Sequence, residues 1–253
     1  VPVRGRDEIA TLAAGFNALV DAIDRGERLR RNLVTDVAHE LRTPVTNLRA
    51  QVEAIEDGLL APSADTLASL REEIVLLTRL IDELQELSLA DAGALVLARE
   101  AVALERAAGA ALAAIAARAE AAGVTLACEV PPLAAVDADP ARLAQILRNL
   151  LDNALRHTPR GGRVTISACT LGPGAEVSIR DTGEGIAPEH LPHVFERLYR
   201  ADPSRDRRTG GAGLGLSVVR RLVEAHGGGA SIESLPGEGT TARFTLPFAA
   251  LPS

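Results

Sequence analysis

The feature that most constrains this chain is a series of apolar residues at three- and four-residue spacing, broken only once. From Ile9 to Leu59 the pattern is that of one long amphipathic helix, with Leu29, Leu33, Val37, Leu41, Val45, Leu48, Val52, Ile55 and Leu59 on its stripe. Gly58 and Pro62 then interrupt it, and Ser63 or Asp65 offers an N-cap for a second helix. There Leu67, Leu70, Ile74, Leu77, Ile81 and Leu84 keep the heptad rhythm of a coiled-coil seam. Two such helices form an antiparallel hairpin, and a lone hairpin cannot bury two apolar stripes. Pairing with a second copy into a four-helix bundle completes the core, so a homodimer is expected.

After Asp91-Ala-Gly93 the texture changes, which marks a domain boundary. Helical patterns run over Leu104 to Ala122, Pro140 to His157 and Leu214 to His226. Strands are expected over Val124 to Val130, Arg163 to Leu171, Glu176 to Asp181, Ala230 to Leu235 and Thr241 to Phe248. Several strands are consecutive and joined by Gly-Pro turns, so the ordering predicts an α+β sandwich, a mixed sheet with helices on one face.

The length of 253 residues suits a stalk plus one domain of ordinary size. With 47% apolar but only 2% aromatic residues, the core is built from Ala, Leu, Val and Ile, and few rings are left for base stacking. A net charge of −7 argues against a general nucleic-acid binder, since a phosphate backbone calls for a basic surface. Cys128 and Cys169 lie in apolar alternating segments and read as buried small hydrophobes. No stretch near the N-terminus reaches the ~20 apolar residues of a membrane span. The absence of Met implies that something precedes residue 1.

Four strings carry chemistry. His39-Glu-Leu-Arg-Thr-Pro44 lies inside the first helix, and His39 points away from the seam, where an imidazole is available as a nucleophile. Glu40 beside it can take the ring proton or fix the tautomer. Pro44 removes a helix-interior donor and permits a bend. Thr43 is one turn beyond His39 on the same exposed face, where its hydroxyl can orient a water.

The second string is Asn149-Leu-Leu-Asp-Asn153-Ala-Leu-Arg-His-Thr158. Asn149, Asn153 and Arg156 share a helix face, where amide oxygens can hold Mg²⁺ and Arg156 can meet phosphate charge. The third is Asp181-Thr-Gly183-Glu-Gly185 at a strand end, where a carboxylate can accept from the exocyclic amine of adenine and glycines let backbone approach the ring. The fourth is Gly210-Gly-Ala-Gly213-Leu-Gly215-Leu, opening a helix whose N-terminal N–H groups favour phosphate. Between the last two, Phe195 to Arg200 and the arginine-rich stretch to Arg208 read as a mobile lid over a polyphosphate. A Walker A loop requires Lys, and the chain has none. The dinucleotide fingerprint fails at Val218.

In this order the strings resemble those of bacterial two-component sensor histidine kinases: His39 to Pro44 the H box, Asn149 to Thr158 the N box, Asp181 to Gly185 the G1 box, Phe195 to Arg200 the F box, Gly211 to Gly215 the G2 box. The resemblance covers nearly the whole chain. It implies a Bergerat-type ATP-binding domain over 93–253, a dimerisation and phosphotransfer hairpin over 31–92, and the second half of a HAMP relay over 1–30, with Gly5 to Ile9 and Phe16-Asn17. By it, His39 is phosphorylated with Glu40 assisting, and Asn149 and Asn153 hold Mg²⁺. Asp181 reads adenine between Gly183 and Gly185, while Arg156, His157, Phe195, Arg208, Gly211, Gly213, Leu214 and Gly215 complete the ATP site. Arg156 and His157 stand where the family often has Lys and Tyr, keeping a cation and a ring. The implied partner is the receiver domain of a response regulator, which Thr43 would help to dephosphorylate. The implied setting is the cytoplasmic portion of a bacterial inner-membrane protein, attached through an upstream segment. An ATP-driven clamp of the same ATPase fold, as in chaperones or mismatch repair, and a non-catalytic dimerising relay are the alternatives.

Overall fold

The structure is a computed structural model that describes residues 16, 20, 41–91, 94–200 and 213–249. Contacts divide the chain into two compact units, Val1–Leu77 and Thr78–Ser253, so the division falls inside a helix.

In the first unit, residues 41–56 are helical (α1) and Ala64–Asp91 forms α2, of which the part to Leu77 belongs here. The interruption read from Gly58 is a real turn: Gly58 has φ +69°, and the N–H groups of Leu59 and Leu60 both return to the Ala54 carbonyl. Ser63, not Asp65, caps α2, its Oγ accepting from the Thr66 N–H at 3.2 Å. Asn47, ten positions before Asp57, donates to Glu73, ten positions after Ser63, at 3.4 Å, which is the pairing of an antiparallel hairpin. Leu67 and Ile74 of the predicted seam stand 55% and 54% exposed.

The second unit begins with the rest of α2, whose Leu80 and Leu87 are buried and whose Glu86 accepts from Arg142 and Gln145. Then follow β1 (Glu100–Val102), α3 (Leu104–Ala122), β2 (Thr125–Glu129), β3 (Val136–Ala138), α4 (Pro140–His157), β4 (Arg163–Leu171), β5 (Gly174–Asp181), a 3-10 turn (Leu191–His193), α5 (Gly215–Ala225), β6 (Ala230–Leu235) and β7 (Gly239–Pro247). The main sheet has the order β2-β4-β5-β7-β6; β2 runs parallel to β4 and every other pairing is antiparallel. β1 and β3 form a separate antiparallel pair.

The period of two along a strand decides the layers. Val164 and Ile166 of β4, Val177 and Ile179 of β5, and Phe244 and Leu246 of β7 are buried. The intervening Thr165, Ser167 and Ser178 are half-buried on the opposite face, where Ser167 and Ser178 bond at 2.7 Å. α4 packs against β4, β5, α3 and α5, which makes this the mixed sheet with packed helices that the segment order predicts.

Local chemistry explains why α4 forms where it does. Asp139 caps it by accepting from Ala141 and Arg142, and Pro140 sits at the start, where its missing donor costs nothing. Leu143, Ile146, Leu147, Leu150 and Leu151 then face the core, each no more than 3% exposed. Both cysteines correct the sequence expectation. Cys128 lies on the edge strand β2 and Cys169 near the β4–β5 turn, and both are exposed.

Candidate nucleotide site

Helix α4 is the scaffold of the site, because it touches both glycine strings. Near its middle, Asn149 is buried, and its Nδ2 donates to the Gly215 carbonyl at 3.4 Å. At its end, His157 Nδ1 lies 3.0 Å from Glu184 Oε1, and the His157 carbonyl accepts from the Glu184 N–H. A Cβ on Gly183 would come 2.3 Å from that carbonyl, so the approach of the β5 end to α4 requires glycine. Asn153 is half-buried and Arg156 exposed, so the predicted face grades from core to solvent.

Asp181 closes β5 and is 5% exposed. Its Oδ1 accepts from the Gly183 N–H at 2.9 Å and the Thr240 N–H at 3.1 Å. Burial pushes this carboxyl above its usual range, although those two bonds and the nearby His157 pull the other way. Gly185 has φ +72°, and a Cβ there would meet the Leu235 carbonyl at 2.0 Å, which packs the loop against the end of β6.

The fourth string enters α5 through Gly213 at φ +68°, followed by the buried Leu214 as N-cap residue and Gly215 as the first helical residue. The Leu198 N–H donates to the Gly213 carbonyl at 3.0 Å, so the segment after Phe195 and the start of α5 are tied together. Phe195 is half-buried with the Arg220 guanidinium of α5 5.8 Å from its ring centroid. The structure thus brings together Asn149, Asn153, Arg156 and His157 on one helix, with Gly183 against its end and Gly215 beside its middle. Thr43 is exposed on α1. His39, Glu40, Arg208 and Gly211, with most of the segment read as a lid, lie outside the described residues.

Sequence reasoning missed Thr240 and Glu184. Thr240 acts through its backbone, which leaves no side-chain signal; a Cβ on the preceding Gly239 would lie 2.1 Å from the Asp181 carbonyl, so the approach requires glycine. Glu184 was inside a motif read for its aspartate and glycines. A groove of about 620 Å³ between α3 and α4, floored by Ala107, Ala111 and Ala144, holds none of the residues predicted to meet a nucleotide.

A mixed sheet whose strand-end aspartate and two glycine loops are gathered around one amide-bearing helix defines an ATPase-type nucleotide fold. The family model for the histidine kinase-, DNA gyrase B- and HSP90-like ATPases matches residues 138–250. The His Kinase A (phospho-acceptor) domain matches 29–93, and the HAMP domain 1–25. Signal transduction histidine-protein kinase BaeS of Escherichia coli is 38% identical over 95% of this chain and 52% of its own length. Histidine kinase AdeS of Acinetobacter baumannii has a similar structure, with TM-score 0.71 and 27% identity over 84% of this chain and 98% of that one. Mycobacterial sensor histidine kinase MprB superposes with TM-score 0.53 at 31% identity, over 60% of this chain and 99% of that one. The chain belongs to the sensor histidine kinases of two-component systems. It spans about half the length of the curated relatives it matches. Among the described residues, no helix is long and apolar enough to cross a membrane.

Proposed function

We propose that this chain binds ATP with Mg²⁺, transfers the γ-phosphoryl group to His39, and passes it to an aspartate on the receiver domain of a response regulator. The observation that carries this reading is the double contact of α4, Asn149 with Gly215 and His157 with the Gly183-Glu184 turn, which gathers three of the sequence strings around one helix. Asn149 and Asn153 supply hard amide oxygens for Mg²⁺, which would neutralise phosphate charge during transfer. Asp181 keeps Oδ1 engaged by two backbone donors, so its other oxygen serves as acceptor for the adenine amine. Gly213 to Gly215 place N–H groups of the first α5 turn against phosphate. Arg156, Phe195, Arg208 and Gly211 are assigned to the same nucleotide by the sequence strings they belong to. The phospho-acceptor match over the hairpin is what an ATP-driven clamp would lack.

The reading includes three parts, 1–30 relay, 31–92 dimeric hairpin and 93–253 ATP-binding domain, within an inner-membrane receptor. Incubation with γ-labelled ATP tests it: the chain should take up acid-labile label, and His39→Gln should abolish that label while ADP still binds. Label of undiminished amount in His39→Gln would overturn the assignment. Thr43→Ala should leave labelling near wild type but slow loss of phosphate from a cognate regulator by about tenfold or more, because positioning of a water by the hydroxyl is removed. A wild-type rate in that second assay takes Thr43 out of the mechanism.

A further inference from the structure

We propose that His226 is a positioning residue for the nucleotide site, holding the glycine-loop helix α5 in axial register against α4. His226 is 0% exposed and follows directly on α5. Its Nε2 accepts the Asp139 backbone N–H at 3.0 Å and therefore carries no proton. Its Nδ1 then bears the proton and donates to the Leu222 carbonyl at 2.7 Å. Backbone groups on both sides thus select one neutral tautomer. One bond stays within the last turn of α5, and the other crosses to the N-cap residue of α4.

The crossing bond has a counterpart nearer the glycine strings. At the other end of α5, Gly215 accepts from Asn149 of α4. Asp139 and Asn149 are ten residues apart on α4, and Gly215 and His226 eleven on α5. At the helical rise these spans are about 15 and 16.5 Å, so the antiparallel helices are tied at both ends of matched lengths. Burial of Val219, Leu222 and Val223 and the 2.7 Å bond from Arg99 to the Ala225 carbonyl also hold this end of α5, but neither ties it to the backbone of α4 as the His226 bond does. That second tie, remote from ligand, sets where the first-turn N–H groups of α5 stand relative to Asn149 and Asn153.

An imidazole that merely satisfies buried backbone would affect stability alone, and the two roles separate by side-chain reach. In His226→Gln the amide extends as far as Nε2 did, so it can still accept the Asp139 N–H. In His226→Asn the amide reaches only as far as Nδ1 did and keeps just the Leu222 bond. The proposal rests on the nucleotide reading of the site, so the probe is ADP, titrated calorimetrically against the full chain, with melting temperature measured alongside.

Both variants should melt lower than wild type. The Asn variant should bind ADP about tenfold more weakly, as expected of displaced binding groups, and the Gln variant within about threefold of wild type. If the Asn variant melts below the assay temperature, trimethylamine N-oxide restores the fold without restoring the bond, and the same comparison is read there. Equal ADP affinity in the folded Asn variant and wild type, or losses that track melting temperature whichever bond is kept, would overturn the role of His226 alone. Absence of ADP binding by the wild-type chain would instead bring down the nucleotide reading and this proposal together.

Discussion

Helices α2 and α4 are both amphipathic, yet they treat their apolar residues in opposite ways. α4 buries Leu143, Ile146, Leu147 and Leu151 to 1% exposure or less. α2 leaves Leu67, Ile74 and Ile81, on one heptad stripe, more than half exposed. Among the described side chains the fully buried leucines of α2 fall on a different stripe, Leu80 and Leu87, seven residues apart, while Leu70, Leu77 and Leu84 of the predicted seam are half-buried. Among its described side chains α2 therefore carries two apolar stripes, one with buried leucines and one with exposed residues. A helix wrapped by its own domain is held in place by it, whereas one with exposed apolar residues on its seam gains from a further element. The contrast is between a helix buried in its own domain and a helix with an exposed apolar stripe, which the expected second copy would cover.

The largest effect on ADP affinity from a variant that still folds should come from the region around α4. Asp181→Asn preserves an oxygen for the Gly183 and Thr240 donors but puts an amide where adenine presents its amine. Hydrogen bonds to charged groups contribute about 1.5–3 kcal/mol, so ADP affinity should fall about 10–100-fold by calorimetry. Stability should move the other way. The folded carboxyl is pushed above its usual range, so its ionised form weighs against the fold at neutral pH, and the weight lifts as pH falls and the group protonates. Apo Asp181→Asn should melt higher than wild type at pH 7, with the gain shrinking towards pH 4. A variant that binds ADP as wild type would remove Asp181 from the base pocket; one less stable at pH 7 would contradict its burial cost.

The comparison itself is tested by placing the same charge in both regions. Ile74→Asp on the bare seam should turn the expected dimer into a monomer in sedimentation while the ATP-binding unit keeps its melting temperature. Ile146→Asp, 0% exposed in wild type, should leave no folded second unit, since an unpaired carboxylate there has no partner. A dimer that survives Ile74→Asp would place the second copy on some other face.

This division also explains what could be read in advance. α3 and α4 match their sequence boundaries because local chemistry sets their ends: Asp139-Pro140 starts α4, and Gly123, at φ +70°, ends α3. β4 and β6 were legible for the same reason, as alternating runs between turn residues. β1 and β3 were not. Each is three residues long, and their pairing depends on chain brought from elsewhere, with Arg99 on Asp137 at 3.2 Å. In the site, the side-chain donors were visible as motifs, whereas Thr240 contributes a backbone N–H across 59 residues and His226 bonds across 87. The cysteines misled because alternation identifies a strand but cannot say that β2 is an edge or that Cys169 falls at the exposed end of β4 near its turn. The bare stripe of α2 was legible as a heptad, but Leu80 and Leu87 follow the same spacing one position earlier, so periodicity alone could not rank the two.

The smallest effect, and the finest test of the comparison, lies in the two helix caps. Ser63 caps α2 with a neutral hydroxyl that accepts one backbone N–H, from Thr66. Asp139 caps α4 with a carboxylate that accepts from Ala141, Arg142 and, on its other oxygen, Ala98. Burial pushes the Asp139 carboxyl up, but these three donors and the charge of Arg142 together outweigh it and hold the group below its ordinary value. A depressed carboxyl contributes stability that is present above the ordinary range, near 3.9, and lost as pH falls through that range to the folded value. Caps of this kind are worth about 0.5–2 kcal/mol, so Asp139→Ala should sit at the upper end near pH 7 and Ser63→Ala at the lower end. Chemical denaturation of each variant between pH 7 and pH 3 separates them further. The Asp139 increment should shrink on acidification while the Ser63 increment, having no proton to exchange, stays level. A pH-independent Asp139 increment would mean that its side chain acts at the α4 start by shape rather than charge.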